Sequence, residues 1–292
     1  MGWLLRTCAC AGLIVVAAWH QGSASEPMPR PDGGVVANGI YANAYFGLRY
    51  AVPAGFRPGL AGPAPSQSGY YVLATLVPAK EFTGTILIAA QDLFFAAVPD
   101  DAMATARAMA DAMARLPGMA IDRPPEPVTL AGHAFGRLDF SGVGLFRSTF
   151  VTAIRCHLVS FNLTANSRAG RAALVASLDG LVDAHVAGAP RAEPVCVKNR
   201  AGADELVRKV DPPARHPAFT KIPVRIVIGA DGNVKDVHVI RASDEQRGVI
   251  ERALGQWKFK PPAIDGHAAE IETGLTIEFR AGGTVAYSGG GR

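Results

Sequence analysis

The chemistry available to this sequence lies in its thiols, imidazoles and clustered carboxylates, and their spacing limits what they can do. Of four cysteines, Cys8 and Cys10 precede an N-terminal apolar run. Cys156 and Cys196 stand far apart, and in an oxidising compartment only one bond between them is allowed. A buried free thiol at Cys156 with a solvent thiol at Cys196 is an equally open reading. Neither spacing builds a zinc site. The seven histidines, His20, His133, His157, His185, His216, His238 and His267, are dispersed, with no two at metal-ligand spacing. Asp100, Asp101 and Asp111 share one helical segment. The positive end of a helix explains the first two better than paired acid–base chemistry does. Met103, Met109 and Met113 read as core or interface filler rather than a thioether metal set. Phosphate loops, the G-x-S-x-G elbow and H-E-x-x-H are all absent from the sequence. These residues predict no catalytic, cofactor-binding or metal site, and a binding module rather than an enzyme.

The remaining candidate is a surface of backbone. Ile271, Thr273, Leu275, Ile277 and Phe279 alternate with Glu270, Glu272, Gly274, Thr276 and Glu278, the pattern of a strand with one apolar and one acidic face. A small sheet has an open edge, whose unpaired amides and carbonyls can accept a partner strand. Exposed Glu270, Glu272 and Glu278 would tune selectivity and discourage aggregation.

Several elements must position that strand. Val224, Ile226 and Ile228 alternate with Arg225 and Val227, so one buried face is expected. Gly229–Asn233 reads as a hairpin loop, because Gly and Asn tolerate positive φ, and Val234–Ile240 as the returning strand. Ser243 followed by Gln246 is a capping box. It opens a helix running to about Trp257 with Val249, Ile250, Ala253 and Leu254 on its buried face. Pro261-Pro262 stops further helix. Trp257 and Phe259 are read as packing at the helix-to-strand corner. The unit is β-β-α-β over residues 208–280.

Upstream, residues 41–186 read as one α+β unit. Strand-like runs are Phe46–Val52, Tyr70–Val77 and Gly84–Gln91, followed by a helix over Asp100–Leu116. Further strands are read at Pro127–Leu130, Ala134–Phe140 and twice within Leu145–Leu163. A last helix spans Arg168–Ala184, capped by Ser167. An antiparallel sheet with helices on one side would bury those faces. Residues 26–40 are a Pro- and Gly-rich flexible leader, 187–207 a polar linker, and 281–292 a flexible tail. The fold class is α+β in two domains.

At the N-terminus, Arg6, the apolar stretch Thr7–Trp19 and the small residues Gly22–Ser25 fit a signal peptide over residues 1–25. The stretch is about 13 residues long, short of the roughly 20 that span a bilayer. A retained anchor is the alternative. The net charge of +4, from 29 Lys and Arg against 25 Asp and Glu, is scattered and makes no nucleic-acid footprint.

Residues 208–280 resemble the C-terminal domain of the TonB energy-transducer family. The resemblance rests on Pro212-Pro213, Val224–Ile228, the turn Asp231-Gly232, Val234 to Val239, Ala242-Ser243, Trp257-Lys258-Phe259 with Pro261, Gly266, and the closing Ile277-Glu278-Phe279. His216-Pro217 replaces the usual Tyr-Pro, Gly248-Val249 replaces a leucine-aspartate pair, and a long proline-rich spacer is absent. Residues 41–186 are similar to PsbP-like and DcrB-like exported proteins, on Asn43–Tyr50 with Pro53. The TonB resemblance implies a periplasmic, protein-binding role in the cell envelope, pairing with a partner such as an outer-membrane transporter peptide. Its partner strand would lie on Glu270–Phe279. If the N-terminus stays in the membrane, the resemblance implies instead an energy transducer working with ExbB–ExbD. A third reading is an enzyme whose site lies in the first domain.

Overall fold

The computed structural model describes residues 28–184, 193–198, 200, 203–213, 218–280 and 284–289. The N-terminal apolar run, with Cys8, Cys10 and His20, lies outside the described residues, as do His185 and His216.

The first unit is built from β1 (Val35–Ala37), β2 (Ile40–Asn43), β3 (Leu48–Ala51), β4 (Phe56–Pro58), β5 (Tyr70–Pro78), β6 (Gly84–Asp92), α1 (Ala102–Ala114), β7 (Met119–Leu130), β8 (His133–Gly142), β9 (Leu145–Ile154), β10 (His157–Ala165), α2 (Arg168–Ala176) and β11 (Leu181–Asp183). A seven-stranded antiparallel sheet runs β4-β5-β6-β10-β9-β8-β7, and a small sheet runs β1-β2-β3-β11. Alternation along β6 and β10 puts Ile86, Ile88, Val159, Phe161 and Leu163 into the main core with Tyr41, Phe46, Leu48 and Tyr50 of the small sheet and Leu174 of α2. The helices do not share one side, as the sequence suggested. Ala106 of α1 packs with Val151 and Leu158 in a separate cluster, and the pairing Val151↔Ser160↔Ala89 places that cluster on the opposite face. Burying a two-faced sheet of this width takes a layer on each side.

The helix ends follow local chemistry. Asp101 accepts from the Ala104 amide at 2.7 Å, and Ser167 from the Gly170 amide at 3.0 Å. The expected helix to Ala184 stops at Ala176. A 3-10 turn over Ser177–Gly180 follows, and then Leu181 pairs with Tyr50. Strand β7 starts earlier than its apolar run suggested. As an edge strand with register breaks between Ile121 and Glu126, it accommodates Pro124 and Pro125.

The second unit contains β12 (Val195–Cys196), β13 (Leu206–Arg208), β14 (Lys221–Ile228), β15 (Val234–Val239), α3 (Asp244–Leu254), β16 (Lys258–Phe259), β17 (Ala263–Ile264), β18 (His267–Ala268), β19 (Ile271–Phe279) and β20 (Val285–Gly289). Its sheet runs β12-β19-β14-β15, with β20 also on β19. Ile222, Val224, Ile226, Ile228, Leu275 and Ile277 meet Ile250, Leu254, Trp257 and Phe259 in the core. The β14–β15 turn needs its glycine. Gly232 has φ +82°, and a Cβ there would meet the Phe259 carbonyl oxygen at 2.1 Å. Ser243 caps α3 through the Gln246 amide at 3.3 Å. The Gln246 side chain does not close the expected box. Its Oε1 accepts from the Phe219 amide at 3.0 Å, and its Nε2 donates to the Phe219 carbonyl at 2.9 Å. Trp257 packs as expected, and its indole N–H donates to the Val210 carbonyl at 2.8 Å.

Three segments that read as connectors build structure. In the leader, Val35–Ala37 pairs with Ile40–Ala42, and Arg30 reaches Glu251 of α3 at 3.6 Å. In the linker, Val195–Cys196 pairs in parallel with Ile271–Glu272. In the tail, Val285–Gly289 pairs antiparallel with Leu275–Phe279.

Candidate functional site

Strand β19 is an interior strand rather than the open edge its position suggested. One side pairs with β14 from Ile271 to Glu278. On the other side, the carbonyls of Glu270 and Glu272 accept from the amides of Val195 and Val197 at 2.8 and 3.0 Å. Farther along, Leu275–Phe279 is taken by β20. The Phe279 amide donates toward β14, to the Thr220 carbonyl at 2.8 Å. By alternation, Thr276 and Glu278 aim their backbone groups at β20.

The three glutamates, expected to be exposed, divide. Glu270 is half-buried and ion-pairs with Lys235 of β15. Glu278 is half-buried beside Arg280 at 3.1 Å and Lys221 at 3.9 Å. Glu272 is 4% exposed. The reason is that the face of the sheet opposite α3 is covered by the first unit. Gly274 shows how closely: a Cβ there would meet the Phe94 Cβ at 2.5 Å. The remaining β19 positions, Ile271, Thr273, Leu275 and Ile277, are buried, and Thr276 is half-buried.

Between the two units lies a charge cluster that the sequence did not announce. Arg225 of β14 is 1% exposed. Its Nη1 donates to Asp92 at 2.7 Å, its Nε to Glu272 at 3.0 Å and its Nη2 to the Tyr45 hydroxyl at 3.1 Å. Its guanidinium also lies over the Phe94 ring, 4.7 Å from the centroid. Tyr45 donates its hydroxyl to Glu272 at 3.1 Å. Arg155 stacks on the Tyr45 ring at 4.0 Å and stands 4.0 Å from Glu272. Two guanidinium groups thus face two carboxylates, so the enclosed charges balance. Burial opposes the charge on Arg225, but Asp92, Tyr45 and Glu272 outweigh it and hold its pKa well above the ordinary value.

His157 sits at the back of this cluster, fully enclosed by the edges of Tyr45, Phe46 and Tyr71. Its Nδ1 lies 2.7 Å from the Arg155 carbonyl, which can only accept, so the neutral ring carries its proton there. Its Nε2 stands 3.7 Å from Asp92. Burial, aided by Arg225, pushes this imidazole well below its usual pKa. The His157 and Asp92 side chains are both 0% exposed. The cluster acts as an adhesive between units.

The hairpin joining β9 to β10 supplies the reach. Arg155 and Cys156 occupy the left-handed region at φ +45° and +60°. Among the described residues every other non-glycine in that region is followed directly by a glycine: Asn38, Ala131, Val143 and Asp265. A two-residue hairpin ordinarily uses such an X-Gly pair. Here both positions carry working side chains, Arg155 over Tyr45 and Cys156 in a disulfide with Cys196, Cα to Cα 5.8 Å. Strained backbone of this kind marks a position whose side chains are needed. The disulfide ties β12, and through it β19, to the first unit.

Beside β20 a cleft of about 440 Å³ opens between the units, lined by Phe94, Phe95, Lys221, Thr276, Glu278 and Ser288 among others. Asp100 and Asp101 do not line it. Asp101 caps α1, and Asp100 pairs with Lys198 at 3.2 Å. No group of three or more His, Cys, Asp or Glu suited to a metal occurs among the described residues. No helix among them is long and apolar enough to cross a membrane.

Residues 219–281 match the family model of the Gram-negative bacterial TonB protein C-terminal. Among solved structures, cyanobacterial PsbP from Synechocystis sp. PCC 6803 is similar at 14% identity and TM-score 0.35, covering 51% of this chain and 95% of that one. A protein of unknown function from Pseudomonas aeruginosa, PA94, described as a putative regulator, is similar at 18% identity and TM-score 0.30, covering 53% and 97%. No curated protein matches the chain. The match to the TonB family begins just before β14 and closes just after β19, so the chain carries a TonB C-terminal-like domain at residues 219–281.

Proposed function

We propose that this chain is a protein-binding module of the Gram-negative periplasm, and not an enzyme, and that it receives an extended segment of an envelope partner along β19. The observation that carries this reading is β20 itself. The outer side of Leu275–Phe279 takes a five-residue antiparallel strand, Val285–Gly289. The last two residues of that strand are exposed. Exchanging it for a partner strand leaves the pairing of β19 with β14 in place. Main-chain hydrogen bonds then supply affinity, and side chains at alternate positions supply selectivity.

Thr276→Pro tests this. Proline removes the amide aimed at the incoming strand, and proline is tolerated where that amide faces outward. Extended peptides selected for binding to the full chain should bind the variant at least about tenfold more weakly, a loss of about 1.4 kcal/mol. Equal binding by a variant with unchanged circular dichroism would remove this edge as the site. Localisation has its own check. Expressed in a Gram-negative host, the chain should begin near Ser25 or Glu26 and fractionate with soluble periplasm. An intact Met1 in the inner membrane would favour an anchored transducer, and ExbB–ExbD would be its first partner to test.

A further inference from the structure

The alternation of β20 carries more than its backbone. Val285 and Tyr287 turn toward the α3 side and pack against the domain core. The Tyr287 ring meets Trp257 edge-on at 4.9 Å. Its hydroxyl donates to Asp211 at 2.7 Å, and the Lys209 ammonium lies 4.4 Å from its centroid. Lys209 and Asp211 hold each other at 3.0 Å. Trp257 is fixed from behind by its own hydrogen bond to Val210. A ring, a cation and a carboxylate therefore converge on one phenol. The three groups belong to the body of the domain, and the phenol arrives on the exchangeable strand. By contrast Ala286 and Ser288 point the other way, and Ser288 is exposed.

We infer that these groups form a tyrosine-reading pocket for the partner, and that Tyr287 is the chain's own stand-in for the partner's residue. The segment that docks on β19 carries an aliphatic residue, any residue, then tyrosine, running antiparallel to β19. The aliphatic side chain takes the place of Val285 beside Phe279, and the tyrosine takes the place of Tyr287. Carboxylate acceptance of a phenolic hydroxyl selects tyrosine over phenylalanine, and the Lys209 and Trp257 contacts select an aromatic over an aliphatic side chain. The inference rests on the β19 edge being the docking site.

The test uses full-length protein and two labelled peptides, Thr-Val-Ala-Tyr-Ser-Gly and the same peptide with alanine for tyrosine. Tyr287→Ala loosens the resident strand and empties the pocket. The tyrosine peptide should bind this variant at least about tenfold more tightly than it binds the unaltered chain, and about tenfold more tightly than the alanine peptide does. Equal binding of the two peptides would overturn the pocket while leaving the edge as a docking site. Binding of neither would remove the edge as well. If Tyr287→Ala fails to fold, Tyr287→Phe keeps the ring on Trp257 and gives up only the Asp211 bond, and the same comparison is read on it. Sedimentation of the unaltered chain completes the test. A monomer is expected, and a dimer that dissociates when β20 is removed would reassign the pocket to a second copy of this chain.

Discussion

The two halves of β19 are held by opposite kinds of interaction. At Glu272 the strand is fixed by its side chain, inside a buried and charge-balanced cluster that spans both units. From Leu275 to Phe279 it is held on its outer side by backbone pairing to a short strand near the chain end. Buried ionic contacts of the first kind are directional and intolerant of loss, because removing one member strands the others away from water. Backbone pairing of the second kind is generic, since any extended segment presents the same amides and carbonyls. One strand thereby combines a foundation fixed by side chains with a rim held by backbone pairing.

Breaking the foundation should have the largest effect. Arg225→Ala leaves Asp92 and Glu272 enclosed without their shared cation and should cost about 3–5 kcal/mol, read as a lower urea midpoint. Opening the disulfide with Cys196→Ala comes next. It frees a loop with a sequence separation of 40 and should cost about 2–4 kcal/mol in the oxidised protein, while reductant should have little further effect on that variant.

Acid sharpens the comparison through the two buried histidines. His238 of β15 is buried, and neither ring nitrogen has a hydrogen-bond partner among the described residues. Burial, then Arg30, Arg225 and Arg247, push its pKa down to about 3. A depressed folded pKa means the stability it lends is complete above the unfolded value near 6.5 and drains away as pH falls toward about 3. The enclosed His157 moves the same way. Asp92, pushed up by burial against the pull of Arg225, works in the opposite sense, gaining stability as pH falls through its raised pKa. Stability should therefore fall by up to about 1.4 kcal/mol per pH unit for each histidine below pH 6.5, and His238→Leu should flatten that slope. The smallest change in stability is expected at the rim. Thr276→Pro should cost about 1 kcal/mol, the worth of one hydrogen bond, while its effect on partner binding is large.

The sequence was most informative where one periodicity and one turn agreed. The β14–β15 hairpin, the Ser243 cap, the Trp257 corner and the alternation of β19 could all be read, because each depends on neighbours in the chain. The cluster could not, because Tyr45, Asp92, Arg155, Arg225 and Glu272 come from five separated places and only tertiary packing joins them. One signal was present. Ile222–Ile228 is almost continuously apolar, the mark of a strand covered on both faces, and Arg225 is its single charge. A lone cation in such a run needs buried partners. The glutamates misled for the same reason: an acidic face reads as solvated until something is known to cover it. Residues 187–207 and 281–292 read as linker and tail on polar and glycine-rich composition. Composition gives no view of an edge elsewhere that a short strand can cap.

Gly274 sets how near the two units stand. Its φ is ordinary, so its smallness serves proximity and not conformation. With Phe94 where a methyl group would be, alanine at this position would act as a shim, thickening the seam and lengthening every bond that radiates from Arg225. The tolerance of the whole joint is thus set by one absent carbon on the strand that the joint supports.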